Sequence, residues 1–101
     1  MAFCDIDHFK AVNDTYGHPV GDQVIRGLAW LLKGCLRATD LIGRYGGEEF
    51  ILALPDAPPE RAYAVIERIR RDFAALPHAH NGGTLFSTFS AGLACHQHFP
   101  S

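Results

Sequence analysis

Acidic residues stand at positions where an extended run would end. The opening segment Met1–Asp5 (MAFCD) is short and apolar and stops at an acid, and Asp7 follows two positions on. Alternation sends Asp5 and Asp7 to one side if the strand continues. Carboxylates with a neighbouring backbone oxygen are hard donors suited to Mg²⁺. The carboxyl end of a strand is also where many mixed sheets hold their ligands. For Asp7 alone, a cap on the following helix is the simpler reading. Asp5, closing an apolar strand, is harder to dismiss.

A second acidic pair, Glu48-Glu49, follows Gly46-Gly47 and precedes Phe50. Two residues without side chains let a ligand come close to the backbone. In a strand the two acids face opposite sides, so one can serve a site while its neighbours hold the other. In isolation the segment reads as a generic hairpin with solvated acids. Asn13, His18 and Asp22 form a third group. A carboxylate that accepts from both N1–H and the exocyclic amine favours guanine over adenine. Taken alone, helix capping explains this group more simply. The fourth group is Arg37-Ala38-Thr39-Asp40. It is either a weak local ion pair or a guanidinium fork for phosphate or base. His78-x-His80 and His96-x-His98, with Cys95 adjacent, do not complete a four-ligand zinc set, and exposed loop histidines are the preferred reading. No phosphate-binding GxxxxGK[ST] loop, G-x-S-x-G elbow or GxGxxG turn is present.

These residues need elements to position them. Met1–Asp5 reads as a buried strand. Phe9, Val12 and Tyr16 give Asp7–Tyr16 helical spacing, broken at Gly17-His18-Pro19. Val20, Val24, Leu28, Leu31, Leu32 and Cys35 form one stripe of a long amphipathic helix, although Gly27 and Gly34 disfavour it locally. Leu41–Tyr45 and Glu48–Leu54 are strand-like runs joined by Gly46-Gly47, a hairpin signal because primed turns need positive φ. Pro55–Pro59 ends the second run. Val65, Ile66, Ile69, Phe73 and Leu76 mark a helix from about Glu60 to Leu76. Pro77–Gly83 reads as a loop and Thr84–Cys95 as one strand. The order β-α-α-β-β-α-β predicts an α+β fold, a mixed α/β sandwich in which helices flank a central sheet containing one hairpin.

Composition sets the outer limits. The chain has 101 residues, one domain's worth, with 48% apolar and 20% charged residues. That is ordinary globular usage, neither disordered nor collagen-like. The net charge of -2 lacks the basic excess of a protein that grips a polynucleotide. Residues 1–50 hold five basic and seven acidic groups and residues 51–101 hold four of each, so the acidic surplus is local. No apolar run is long enough to span a bilayer and no secretory signal is visible. Cys4, Cys35 and Cys95 are an odd, dispersed set. They argue for small core residues in a reducing compartment.

Each group is weak alone, but together they are specific. DIDHFKAVNDTYGHPVGD followed by RATDLIGRYGGEEF, with FSAGLA near the end, resembles the GGDEF family of diguanylate cyclases along nearly the whole chain. The resemblance implies a fold like nucleotidyl cyclases and polymerase palms. It implies condensation of two GTP to cyclic di-GMP and two pyrophosphates, with Mg²⁺ or Mn²⁺ as cofactor. By resemblance, Asp5, Glu48 and the Ile6 carbonyl are the metal ligands, and Glu48 also helps activate the 3′-hydroxyl. Glu49 is a second candidate for either role. Asn13 and Asp22 match the guanine-reading pair and His18 a nucleotide-contacting position. Phe9 and Lys10 match residues near the phosphates, and Gly46 and Gly47 the turn against which the nucleotide sits. Arg37 and Asp40 match the RxxD site at which the product binds and inhibits.

The resemblance further implies a homodimer, because two GTP must face each other. It implies no contact with membrane in this segment and fusion to a sensory or receiver domain. The expected location is the cytoplasm, or the cytosolic end of a membrane-anchored sensor. The chain carries no counterpart of the family's N-terminal helix with its DxLT-type lead. It also has no counterpart of the C-terminal helix whose Lys and Arg meet the phosphates. It is therefore expected to be a single partial domain, residues 1–101, with activity of this piece in doubt. The signature reads Glu-Glu rather than Asp-Glu, with the same charge. Two other readings compete: a catalytically silent module that binds cyclic di-GMP or GTP as a sensor, and a plain dimerisation scaffold. The intact acids argue against the first. The second explains none of the polar groups.

Overall fold

The computed structural model describes residues 1–55 and 57–94. Its elements are β1 (Ala2–Ile6), α1 (Phe9–Tyr16), α2 (His18–Cys35), β2 (Leu41–Tyr45), β3 (Glu49–Ala53), α3 (Pro59–Ala74), β4 (His78–His80), β5 (Gly83–Leu85) and β6 (Phe89–Leu93). Four strands form one sheet in the order β2-β3-β1-β6, with every neighbouring pair antiparallel. The α1–α2 pair carries the chain from β1 across β3 to β2, and α3 carries it from β3 across β1 to β6. The result is the split β-α-β topology, an α+β fold, with β1 paired on both edges.

The core lies on one face of that sheet. Alternation along β1 buries Ala2, Cys4 and Ile6, and β3 adds Phe50 and Leu52. Val24, Leu28 and Leu32 of α2 and Ile66, Ile69 and Phe73 of α3 close over them. Each such side chain contributes about 1.5–3 kcal/mol by leaving water. The opposite face is open, with Phe3 46% and Tyr45 65% exposed. Cys4 sits in the core, where burial pushes its thiol up to about 11 and keeps it protonated. Cys4 and Cys35 are both free thiols.

Several expectations are corrected. The first helix starts at Phe9, and Asp7 does not cap it; His8 holds the N-cap position with no side-chain cap bond. The second helix starts at His18, because Pro19 fits the first turn of a helix, and the break narrows to Gly17 at φ 91°. The hairpin link is three residues long, since Tyr45 pairs with Glu49 and leaves Glu48 in the turn. Gly46 (φ 68°) and Gly47 (φ 92°) do take the positive φ that the turn demands.

The segment 77–83 is not all loop. β4 lies in it and pairs with β5 as a separate two-stranded sheet, so the single strand expected over Thr84–Cys95 is two strands in different sheets. The small sheet is seated on α2. With its amide turned accordingly, Gln23 donates to the Ala79 carbonyl at 3.1 Å and accepts from the Ala79 N–H at 2.9 Å. Gly27 lets β4 come close: a Cβ there would lie 2.9 Å from a Leu76 methyl and 3.1 Å from the His78 ring. Cys95 and the His96-x-His98 pair lie outside the described residues.

Candidate functional site

Register brings the acids of β1 and the hairpin together. Asp5 is directly opposite Glu49 on β3 and opposite Ser90 on β6. Side chains of such partners stand about 5 Å apart at Cβ on the same face. Here that face is the open one, and Phe3, Asp5, Tyr45, Glu49, Ile51 and Ser90 line a hollow of about 540 Å³ over it. Glu48, in the turn, accepts from the Ile6 N–H through its backbone carbonyl at 3.3 Å. Asp5 thus faces Glu49 where β1 ends, and the backbone of Ile6 is tied to that of Glu48 in the turn. Among the described residues, none of the three carboxylates makes a side-chain hydrogen bond or ion pair. Opposed like charges with no basic partner destabilise a sheet unless a cation joins them.

Asp7 differs. Its Oδ2 accepts from the Thr88 hydroxyl at 2.8 Å and its Oδ1 from the Ser90 hydroxyl at 2.6 Å. Its N–H donates to the Thr88 carbonyl at 2.9 Å. Burial acts to raise the Asp7 pKa, but the hydroxyls of Ser90 and Thr88 and the charges of His8 and Arg70 outweigh it, and the group titrates below the ordinary range. Next to it, His8 has φ 56° and ψ 30° and is the one non-glycine with positive φ among the described residues. That backbone leads into α1, whose first turn holds no acid and no side-chain cap. Its first N–H groups point toward any anion placed there. Lys10 is exposed in this turn, and Phe9 packs against the core.

Asn13 of α1 packs on Gly21 of α2, the residue before Asp22. The Asn13 Oδ1 is buried without a hydrogen-bond partner. It lies so close to Gly21 that a Cβ there would be 1.8 Å away, and that Cβ would also meet the Phe9 ring at 3.3 Å. Asp22 follows Gly21, and His18 is one helical turn earlier; both are exposed. Arg37 and Asp40 form a compact turn beyond α2. The Asp40 Oδ2 accepts from the Arg37 N–H at 2.8 Å, and the Asp40 N–H donates to the Arg37 carbonyl at 3.0 Å. The surface ion pair weighed for these two residues is not formed. Asp40 binds backbone instead, and the exposed Arg37 guanidinium has no carboxylate within ion-pair range among the described residues.

Sequence reasoning missed Gly21, Thr88 and Ser90. The Thr/Ser alternation in Ser87–Ser90 was visible, but which acid it served was not.

The donor set fits a hard divalent cation. Asp5, the hairpin acids and the Ile6 carbonyl are all oxygen donors, too few to enclose an ion. Among the described residues, no cluster of three or more metal-binding side chains exists. Mg²⁺ is commonly held by one or two carboxylates, with substrate phosphates completing its shell.

A split β-α-β sheet with paired acids at the end of β1 and the Asn13–Gly21 contact where α1 meets α2 defines an α+β domain of palm-like fold. The sequence matches the family described as "Diguanylate cyclase, GGDEF domain" over residues 1–100, and the chain belongs to that family. It is 44% identical over 93 residues to the diguanylate cyclase DgcP of Pseudomonas aeruginosa, covering 92% of this chain and 14% of that protein. It is 45% identical to the response regulator PleD of Caulobacter vibrioides, covering 89% of this chain and 20% of that one. Among solved structures, the GGDEF domain of DgcB from Caulobacter crescentus in complex with c-di-GMP superimposes with a TM-score of 0.85 at 35% identity, over 90% of this chain and 55% of that one. The active GGEEF domain of a diguanylate cyclase from Vibrio cholerae gives 0.84 at 36% identity, over 96% and 63%. The chain thus spans well under a third of these curated relatives. No helix among the described residues is long and apolar enough to cross a membrane.

Proposed function

We propose that the protein containing this chain condenses two GTP molecules into cyclic di-GMP and two pyrophosphates. The observation that carries this reading is the pairing of Asp5 with Glu49 at the end of β1, with Glu48 next to them in the turn, its backbone carbonyl bonded to Ile6, and no basic partner for these acids among the described residues. A bound Mg²⁺ or Mn²⁺ would neutralise the triphosphate and lower the pKa of the attacking hydroxyl. Asp5, the Ile6 carbonyl and Glu48 would hold it, with Glu49 the second acid on the face of Asp5. Lys10 and the first turn of α1 receive the phosphates. Asn13 and Asp22 read the guanine edge, with His18 and Phe9 beside the nucleotide, and the Gly46-Gly47 bend leaves room for it.

Glu48 takes the proton from the 3′-hydroxyl. The freed oxygen attacks the α-phosphorus of the GTP in the partner domain, and the α–β bond breaks to release pyrophosphate. Each domain supplies one half of the reaction, so a two-fold homodimer is the working unit. The exposed Arg37 guanidinium beside Asp40 is the cyclic di-GMP site that restrains the enzyme.

The test is incubation of the full-length protein with GTP and Mg²⁺ and chromatography of the products. Cyclic di-GMP and pyrophosphate are expected in a ratio of one to two. A folded dimer that forms no cyclic di-GMP overturns the reading.

A further inference from the structure

The role of Asp7 is not used by the chemistry above. It sits two residues past Asp5 and, unlike the open acids, is bonded to Ser90 of β6 and to Thr88 just before that strand. Ser90 lies directly opposite Asp5, but its hydroxyl goes to Asp7, so Asp5 keeps its carboxylate for a ligand. Three bonds thus fasten one residue to the segment that enters β6: two from the Thr88 and Ser90 hydroxyls and one through the Thr88 backbone. The residue they fasten is followed at once by His8 in the left-handed region. A non-glycine residue persists there only when its surroundings determine it. On one side of this fixed point stand Asp5 and the Ile6 carbonyl; on the other stand Phe9, Lys10 and the open end of α1.

We infer that Asp7 is the positioning residue for the cation and phosphate end of the site, acting through Ser90 of β6 and Thr88 just before it. The inference rests on the cyclase reading. Freed from β6, the Ile6–His8 backbone relaxes toward ordinary φ, and the Ile6 carbonyl and the first turn of α1 lose their common aim. A carboxylate accepting two hydroxyl bonds is a strong anchor, and groups of this kind behind metal ligands influence affinity as ligands do.

Two double variants of the full-length protein test this. Thr88→Val with Ser90→Ala removes both hydroxyls at exposed positions; Thr88→Ser with Ser90→Thr keeps both. Calorimetric Mn²⁺ binding in the presence of GTP is measured alongside the Mg²⁺ dependence of turnover. The hydroxyl-free variant is expected to weaken Mn²⁺ binding about tenfold or more and to raise the Mg²⁺ requirement in parallel. The hydroxyl-keeping variant stays at the parent value. Equal weakening in both variants, or none in the first while the parent binds, overturns the anchor and leaves the cyclase reading standing. A parent that binds no Mn²⁺ with GTP overturns the cyclase reading and this inference with it.

Discussion

Neighbouring acids near the hairpin carry different duties, and substitution separates them. Glu48→Gln keeps size and hydrogen bonding and removes the charge. Turnover is expected to fall about 10²-fold or more in the cyclic di-GMP assay, with an unchanged melting curve; retained activity would remove its assigned role. Gly21 is decided by space rather than charge. Gly21→Ala puts a methyl 1.8 Å from the Asn13 Oδ1. Asn13 must move, at a cost of about 1–3 kcal/mol by denaturant titration, and KM for GTP should rise. An unaltered KM would show that Asn13 does not read the base. Arg37→Ala removes the exposed guanidinium and should abolish inhibition by added cyclic di-GMP while initial velocity persists. If inhibition survives in the velocity assay, the product binds elsewhere.

Elements differ in how they are held. β4 depends on long-range contacts: Gln23 bonds Ala79, and His78 is buried between α2 and Phe73 with its Nε2 unpartnered. Burial lowers the His78 pKa from 6.5, so the folded state resists protonation more than the unfolded chain does. The stability this group contributes is present above the unfolded value and lost as pH falls through it toward the lowered one. The melting temperature should therefore drop between about pH 7.5 and pH 5, and His78→Leu should flatten that drop. A slope unchanged by the substitution would assign it to other groups.

The same contacts mark how far the sequence could be read. α2 and α3 were legible because each keeps a period of 3.6 long enough to count, β1 as a short apolar run, and the hairpin strands from the Gly46-Gly47 link between them. β4 and β5 have three residues each, too few to alternate, and β4 is seated on Gln23 and Gly27 of α2, more than fifty positions earlier. Gly27 looked like a weak point in α2 and is instead where β4 approaches. At the site, the residue types at Asp5, Asn13, Asp22, Glu48 and Glu49 announced polar chemistry. The binding of Asp7 could not be read, since Thr88 and Ser90 stand 81 and 83 positions away. The left-handed turn at His8 had only the mild preference of histidine for that region as a signal.

Over the whole molecule, the site is one-sided. In the proposed reaction these groups would serve one nucleotide, whereas two phosphodiester bonds would have to form. Specific activity should consequently fall on dilution below the dimer dissociation constant, in step with the dimer fraction from analytical ultracentrifugation. Constant specific activity across that range would show that one subunit suffices.

At Gly17 two helices meet through one residue of φ 91°. The acids at the end of β1 rest on a strand bonded along both edges, the part of a fold that breathes least. Asn13 stands instead on a helix of eight residues, tethered to the next by a lone glycine. Amide exchange should be slow through Cys4 and Asp5 and faster through Val12 and Asn13. A nucleotide would then meet a stiff grip for its tail and a yielding one for its ring, so that swapping the base perturbs the hold far less abruptly than shortening the phosphate chain.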